Sequence, residues 1–265
     1  MIEEKNNIKK DKRIQRIVEI DPSAKQITIL DSRFYQRKPD VFYPSVTYVL
    51  SSFPKGKFFE NWLKDVGHSS SYIVKKASEE GTQVHNAVED YLAGKKITWI
   101  DDYGTAKYSL NVWRMILRFT DFWAEHKPEL ISCEEHLFSD TLKIAGTADL
   151  VVKINGEIWM LDVKTSNAIH DTYNLQLACY TQSWNECFDT PIQRRGILWL
   201  KSSSRGNDKT GKRMKGRGWE IKESPNTLQE DISIFSNLYE IFKVSVGKLK
   251  PLTEIYPTSV KLDKE

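Results

Sequence analysis

Cysteine is scarce in this chain. There are three among 265 residues, Cys133, Cys179 and Cys187, and no two form a C-x-x-C pair, which argues against a structural zinc built on paired thiolates. An odd count, together with a charged start (MIEEKNNIKKDKR) that no apolar segment follows, predicts reduced thiols and a cytoplasmic setting in place of export. Long hydrophobic runs are missing as well. None approaches the roughly 20 residues a membrane helix needs, so no membrane partner is expected. Charge of one sign is in small excess, net +3, so any contact with nucleic acid must depend on where the basic residues sit. No Walker A pattern occurs, so no built-in motor is expected. No internal repeat or obvious interdomain linker is visible.

What is present suffices for one large domain, or one domain with a small appendage: 265 residues, 40% of them hydrophobic. After a charged stretch over 1–13, RIVEIDPSAKQITIL alternates on either side of Asp21-Pro22-Ser23 and predicts a hairpin. Pro44-Ser45 opens a helical stretch, PSVTYVLSSF, followed by KFFENWLKDVG. Two longer helices are expected at about 70–93 and about 105–127, the second ending before Pro128. From Leu130 the period changes. LISCEEHLFS, KIAGTADLVVKI and EIWMLDVKT read as three consecutive strands, TYNLQLACYTQSWNECF as a helix and RRGILWLKS as a fourth strand. A short strand near GWEIKE and a long helix from about Asn226 to Lys248 complete an α/β pattern.

Asn155-Gly156 between two alternating strands is the strongest short-range signal for a two-residue hairpin turn. The register it implies sets Ile154 opposite Glu157, Val152 opposite Trp159 and Asp149 opposite Asp162, with Cβ atoms of opposed residues about 4.5–5.5 Å apart. Lys164, two residues past Asp162, points to the same side. Two carboxylates and an ammonium are thus expected on one face, among Val151, Ile158 and Met160. Opposed like charges need a compensating cation. Lys164 is one, and a divalent ion that takes one or two carboxylates plus waters and phosphate oxygens is the natural other. That set suits phosphodiester hydrolysis, in which a metal acidifies water and neutralises the phosphate while the lysine orients the nucleophile or steadies charge.

Five motifs, in order, resemble the RecB-like branch of the PD-(D/E)xK nucleases. They are Pro44-Ser45-Val46-Thr47-Tyr48-Val49-Leu50, Gly81-Thr82-Gln83-Val84-His85, Gly146-Thr147-Ala148-Asp149, Leu161-Asp162-Val163-Lys164-Thr165, and Gln176 to Tyr180. The first is similar to a segment of the mitochondrial genome maintenance exonuclease and its phage relatives. The resemblance covers about residues 43–201. It implies a restriction-endonuclease-like core, a small mixed sheet flanked by helices, over 129–250. Ahead of it would stand a hairpin and helical portion (14–128) that contributes His85, between a disordered basic tail (1–13) and a C-terminal tail (251–265).

The resemblance also implies roles. Asp149, Asp162 and His85 would be metal ligands and Lys164 the catalytic lysine. A first-strand glutamate would complete the site. Glu134 and Glu135 both qualify, alternation admits only one, and Glu135 is preferred. Gln176 and Tyr180, one helical turn apart, would support the site and contact nucleic acid. Thr165 could donate to a phosphate, and Glu89, one turn from His85, could orient that ring. The implied cofactor is Mg²⁺ or Mn²⁺. Relatives with an iron–sulfur cluster carry four cysteines, and three misplaced ones make a cluster unexpected here.

The implied activity is that of a DNA exonuclease on single strands with free ends, in replication, recombination or repair. A phage-encoded origin and a helicase or single-strand-binding protein as partner fit that activity. An endonuclease of the same fold and a non-catalytic nucleic-acid-binding module are the alternatives. Residues 201–217 hold seven Lys or Arg against one Asp; Lys209, Lys212, Arg213, Lys215 and Arg217 are expected to track phosphates. Phe58, Phe59, Trp62 and Tyr72 are either stacking surfaces for unpaired bases or core.

Overall fold

The computed structural model describes residues 14–16, 19–21, 26–29, 32–201, 218–247, 249–251 and 255–257. Strands β1 (Ile14–Arg16), β2 (Glu19–Asp21), β3 (Gln26–Ile29), β4 (Ser32–Lys38) and β5 (Val41–Pro44) come first. Helices α1 (Val46–Leu50), α2 (Lys57–Val66), α3 (Ser70–Leu92) and α4 (Leu110–His126) follow, a 3-10 turn at Gly67–Ser69 joining α2 to α3. The rest is β6 (Glu129–Ser139), β7 (Ile144–Ile154), β8 (Glu157–Lys164), α5 (Asp171–Cys187), β9 (Arg194–Trp199), β10 (Glu220–Glu223), α6 (Leu228–Val246) and β11 (Ile255–Pro257).

The central sheet has five strands in the order β10-β9-β8-β7-β6. β8 and β9 run parallel and the other neighbours antiparallel. A parallel pair needs a crossover, and α5 supplies it. The β7–β8 turn has the expected register, Ile154 facing Glu157 and Val152 facing Trp159. Asn155 and Gly156 both take positive φ, 51° and 88°, as a two-residue hairpin turn of this kind requires. Helix starts follow from caps. The side chains of Ser45, Ser109 and Thr227 accept the N–H groups of Tyr48, Val112 and Glu230, and Glu230 returns a bond to the Thr227 N–H.

Both faces of the sheet are covered. On one, α1, α5 and α6 pack Val49, Leu177, Tyr180, Phe235 and Phe242 against Leu137, Ala148, Val151, Met160 and Ile197. On the other, α3 and α4 pack Val84, Val88, Met115, Phe119 and Phe122 against Leu150, Val152, Leu161, Val163 and Leu198. A separate antiparallel sheet, β2-β3-β4-β5, contains the expected N-terminal hairpin (β2–β3) and extends it by two strands that the sequence pattern did not suggest. It meets the central sheet at β7, where Tyr35 and Tyr43 bury Ala145 and the Arg37 guanidinium pairs with Asp140 at 2.8 Å. No helix among the described residues is long and apolar enough to cross a membrane.

Candidate metal and catalytic centre

Residues two apart on a strand share a face, and β7 departs from that rule at one place. Ala148 packs with α5, yet Leu150 packs with α3 and α4. The backbone therefore turns over at Asp149. There the β7–β8 pairing also stops, its last partners being Leu150 and Leu161. Across the β6–β7 register, where Cys133 pairs with Leu150 and Glu135 with Ala148, the residue between is Glu134. It holds φ +52°, a region that residues with side chains seldom occupy and that recurs at functional sites.

This break brings three ligand-type side chains together on the α3 side. Ligand atoms of His85, Glu134 and Asp149 lie within 4.8 Å of one another. His85 Nδ1 is 3.5 Å from Glu134 Oε1 and 3.7 Å from Asp149 Oδ1. Its Nε2 is 3.1 Å from the Val163 carbonyl oxygen. A carbonyl can only accept, so Nε2 carries the hydrogen and Nδ1 faces the carboxylates. The Val163 N–H donates to Asp149 Oδ2 at 2.7 Å, so a single residue of β8 orients both the imidazole and a carboxylate. Burial lowers the pKa of His85, but the Asp149 charge and the Glu134 carboxylate outweigh it and raise the ring to about 9.

The second half of the site lies on the α5 side of β8. Asp162 is 1% exposed, and neither carboxylate oxygen accepts a hydrogen bond among the described residues. Lys164 Nζ lies 2.6 Å from Asp162 Oδ2, near enough for an ion pair though off the direction of a hydrogen bond. The same ammonium donates to Gln176 Oε1 at 3.2 Å, and Gln176 Nε2 donates to the Tyr180 hydroxyl at 3.2 Å. It also stands 4.8 Å above the Tyr173 ring. Burial pushes Asp162 upward to about 6; Lys164 opposes that and the Asp149 charge adds to it. Lys164 is raised, because attraction to Asp162 and Asp149 exceeds the effect of its own burial. Asp149 thus acts electrostatically on both halves.

The donor set fits a divalent cation. The two carboxylates and one imidazole nitrogen that meet within 4.8 Å are hard or borderline ligands, and the buried Asp162 carboxylate adds negative charge nearby, offset by Lys164 at 2.6 Å.

Two expectations need correction. Asp149 and Asp162 do not project side by side from one face of a continuous ladder. They straddle its end, because the strand turns over at Asp149. Glu134, not Glu135, faces His85 and Asp149, because the β6–β7 register sets Glu134 across from Asp149. Glu135 accepts instead from Ser132 Oγ at 2.6 Å. Glu89 is exposed on α3, and His85 is oriented by its hydrogen bond to the Val163 carbonyl, with Glu134 3.5 Å from Nδ1.

Thr165 lies under α3, its hydroxyl oxygen 3.3 Å from where a Cβ on Gly81 would stand, a tight approach that a larger residue there would have to relieve by a small shift. At Gly146 the constraint is stronger, since a Cβ would come within 2.5 Å of Tyr180 Cε1. Lys209, Lys212, Arg213, Lys215 and Arg217 fall outside the described residues, as does the Phe58 side chain. Phe59, Trp62 and Tyr72 belong to none of the core clusters, and Tyr72 is 68% exposed.

Sequence reasoning passed over Tyr173, although it sits one helical turn before Gln176 on α5 and so shares its side. It also passed over a basic groove of about 530 Å³ between α3, α4 and the segment after Lys164, lined by Tyr72, Lys76, Glu80, Asn111, Arg114, Arg118, Asn167 and Lys201. Charged residues on two separate helices give no signal until the helices pack.

A family model for the PD-(D/E)XK nuclease superfamily matches residues 49–237. No curated protein matches the chain. Among solved structures, one described as "Crystal structure of SSO0001" aligns at 10% identity over 66% of this chain and 89% of its own, with a TM-score of 0.29. That likeness is too slight to say anything about this chain.

Proposed function

The chain belongs to the PD-(D/E)XK nuclease superfamily, and we propose that it is a divalent-metal-dependent exonuclease that hydrolyses single-stranded DNA from a free end. The observation that carries this reading is the meeting of His85, Glu134 and Asp149 with the buried Asp162–Lys164 pair at the end of β8.

His85 Nδ1, Glu134 and Asp149 would hold the cation, with the charge of Asp162 behind it. When bound, the ion neutralises charge on the scissile phosphate and acidifies water. The protein's own groups do the rest. Nε2–H···O=C of Val163 keeps the Nδ1 lone pair turned toward the carboxylates. Asp162, Gln176 and the Tyr173 ring hold the Lys164 ammonium in one place, where it steadies negative charge growing on the phosphate or orients the attacking water. Tyr180 fixes Gln176 in turn. The Thr165 hydroxyl, next in the chain, offers a donor to a non-bridging phosphate oxygen. Lys76 and Arg114 in the basic groove supply cations for the flanking phosphates. The imidazole nitrogen in the ligand set favours Mn²⁺ over Mg²⁺.

End-labelled linear and closed circular single strands, incubated with Mn²⁺ or with EDTA, test the reading. Loss of the linear strand alone is expected, and only with metal. Cutting of circles would make the protein an endonuclease, and binding without cleavage a non-catalytic module. Lys164→Ala or Asp162→Asn should lower cleavage by about 10²–10⁴-fold with little change in DNA binding. Undiminished cleavage in either variant removes the proposed centre.

A further inference from the structure

A second cavity of about 530 Å³ opens where the α1–α2 connection faces the start of α5, and nothing in the mechanism above uses it. Phe53, Phe59 and Pro54 form its apolar wall, with Lys55 beside them and His170 and Asp171 opposite. Its size lies within the range of about 300–1,000 Å³ typical of pockets that enclose small organic ligands.

Phe59 is the telling residue. Half buried on α2, it joins no core cluster among the described residues. Its ring contacts Trp62 at 5.6 Å between centroids and carries the Lys55 ammonium at 4.7 Å. An aromatic ring left beside an open cavity has stacking surface to offer. The opposite wall leads directly to the reaction centre. The His170 and Tyr173 rings meet perpendicularly with centroids 5.2 Å apart, and the face of Tyr173 holds Lys164 at 4.8 Å.

We propose that this cavity takes one unpaired nucleobase of the strand being cut, the base lying against Phe59 and Phe53 and its adjacent phosphate near Lys55. The proposal rests on the nuclease reading and deepens it by supplying a reason for single-strand preference. A flat ring with polar edges, attached to an anion, matches an aromatic wall, an ammonium, and the imidazole and carboxylate of His170 and Asp171. A base within a duplex is already stacked and paired, and cannot enter without paying to unstack.

Two measurements test it. In the first, single strands carrying 2-aminopurine at successive positions from the end are bound in Ca²⁺ without cleavage. Quenching is expected at one or two positions, and Phe59→Ala should remove it and weaken binding by about five- to hundredfold. Phe59→Tyr, which keeps the ring, should restore both; Phe59→Leu, which keeps only bulk, should not. Unchanged quenching in Phe59→Ala, or rescue by Phe59→Leu, overturns the proposal, the latter marking a merely apolar pocket. In the second, strands with one abasic nucleotide are cleaved in Mn²⁺. The wild type should slow about tenfold when the gap reaches the pocket position, and Phe59→Ala should be indifferent to it. Equal rates for every gap position in the wild type also overturn the proposal. A wild type that cuts no nucleic acid would overturn the nuclease reading instead, and the fluorescence result would then decide the cavity by itself.

Discussion

At the scale of the residue, Glu134 and His85 hold opposite kinds of tension. Glu134 keeps a left-handed backbone conformation that costs of order 1–3 kcal/mol for a residue with a side chain, and its carboxylate is set near that of Asp149. Glycine has no such conformational cost. Glu134→Gly relieves that strain but gives up the carboxylate facing His85, and it should lose the rise in Tm that Mn²⁺ gives the wild type through preferential binding to the folded state. Thermal melts with and without metal check this, and a preserved Mn²⁺ shift would contradict the ligand role.

His85 is raised to about 9 in the metal-free protein, against about 6.5 when unfolded. Its interaction with the carboxylates thus stabilises the metal-free fold fully below about pH 6.5, and that contribution fades as pH rises toward 9. A ligand nitrogen must be deprotonated. Binding of Mn²⁺ at pH 7 should accordingly release close to one proton, and affinity should climb with pH up to about 9. Titration calorimetry in two buffers of different ionisation enthalpy measures that proton. Replacing His85 with Gln should abolish the release.

Among the elements, β8 is the organising strand, since its Val163 peptide groups hold ligands on one side while Asp162 and Lys164 serve the other. Its parallel neighbour β9 is pinned to α6 by a buried ion pair, Arg195 to Asp231 at 3.0 Å, with Asn226 donating to the remaining carboxylate oxygen at 2.8 Å. Removing one partner of such a pair leaves an uncompensated buried charge. Asp231→Ala should cost about 3–5 kcal/mol of stability, readable as a lower denaturant midpoint. The double replacement of Arg195 and Asp231 by apolar residues should recover most of the loss. A midpoint unchanged in Asp231→Ala would show that α6 is held by its apolar stripe alone.

Over the whole molecule, the basic groove and the aromatic cavity adjoin the same segment after Lys164, through Asn167 and His170 respectively. If phosphates run through the groove, substituting Lys76 and Arg114 with Gln should weaken single-strand binding and flatten the plot of log affinity against log salt. The expected change in slope is about 0.7 for each phosphate that the variant no longer neutralises. Equal slopes for variant and wild type would exclude the groove from the strand's path.

Much of this architecture follows from local chemistry. The alternation of β6 to β9, the Asn155-Gly156 turn and the Ser45 cap are properties of neighbouring residues, so the central sheet and most helices could be read with ends close to those observed. The helix expected from about residue 105 begins at Leu110, because Ser109 caps it. β4 and β5 escaped notice because their pairing depends on a turn with Asp40 at φ +59° in a sequence without a strong hairpin signal. By itself the sequence determined which residue types reach the end of β8, since side-chain period and turn geometry act over a few bonds. Only the tertiary structure decided that Glu134 and not Glu135 completes the cluster, that the two aspartates straddle the strand, and that Tyr173 supports the lysine. Those outcomes depend on register between strands and on helices packed from distant parts of the chain, where no spacing along the sequence carries the information.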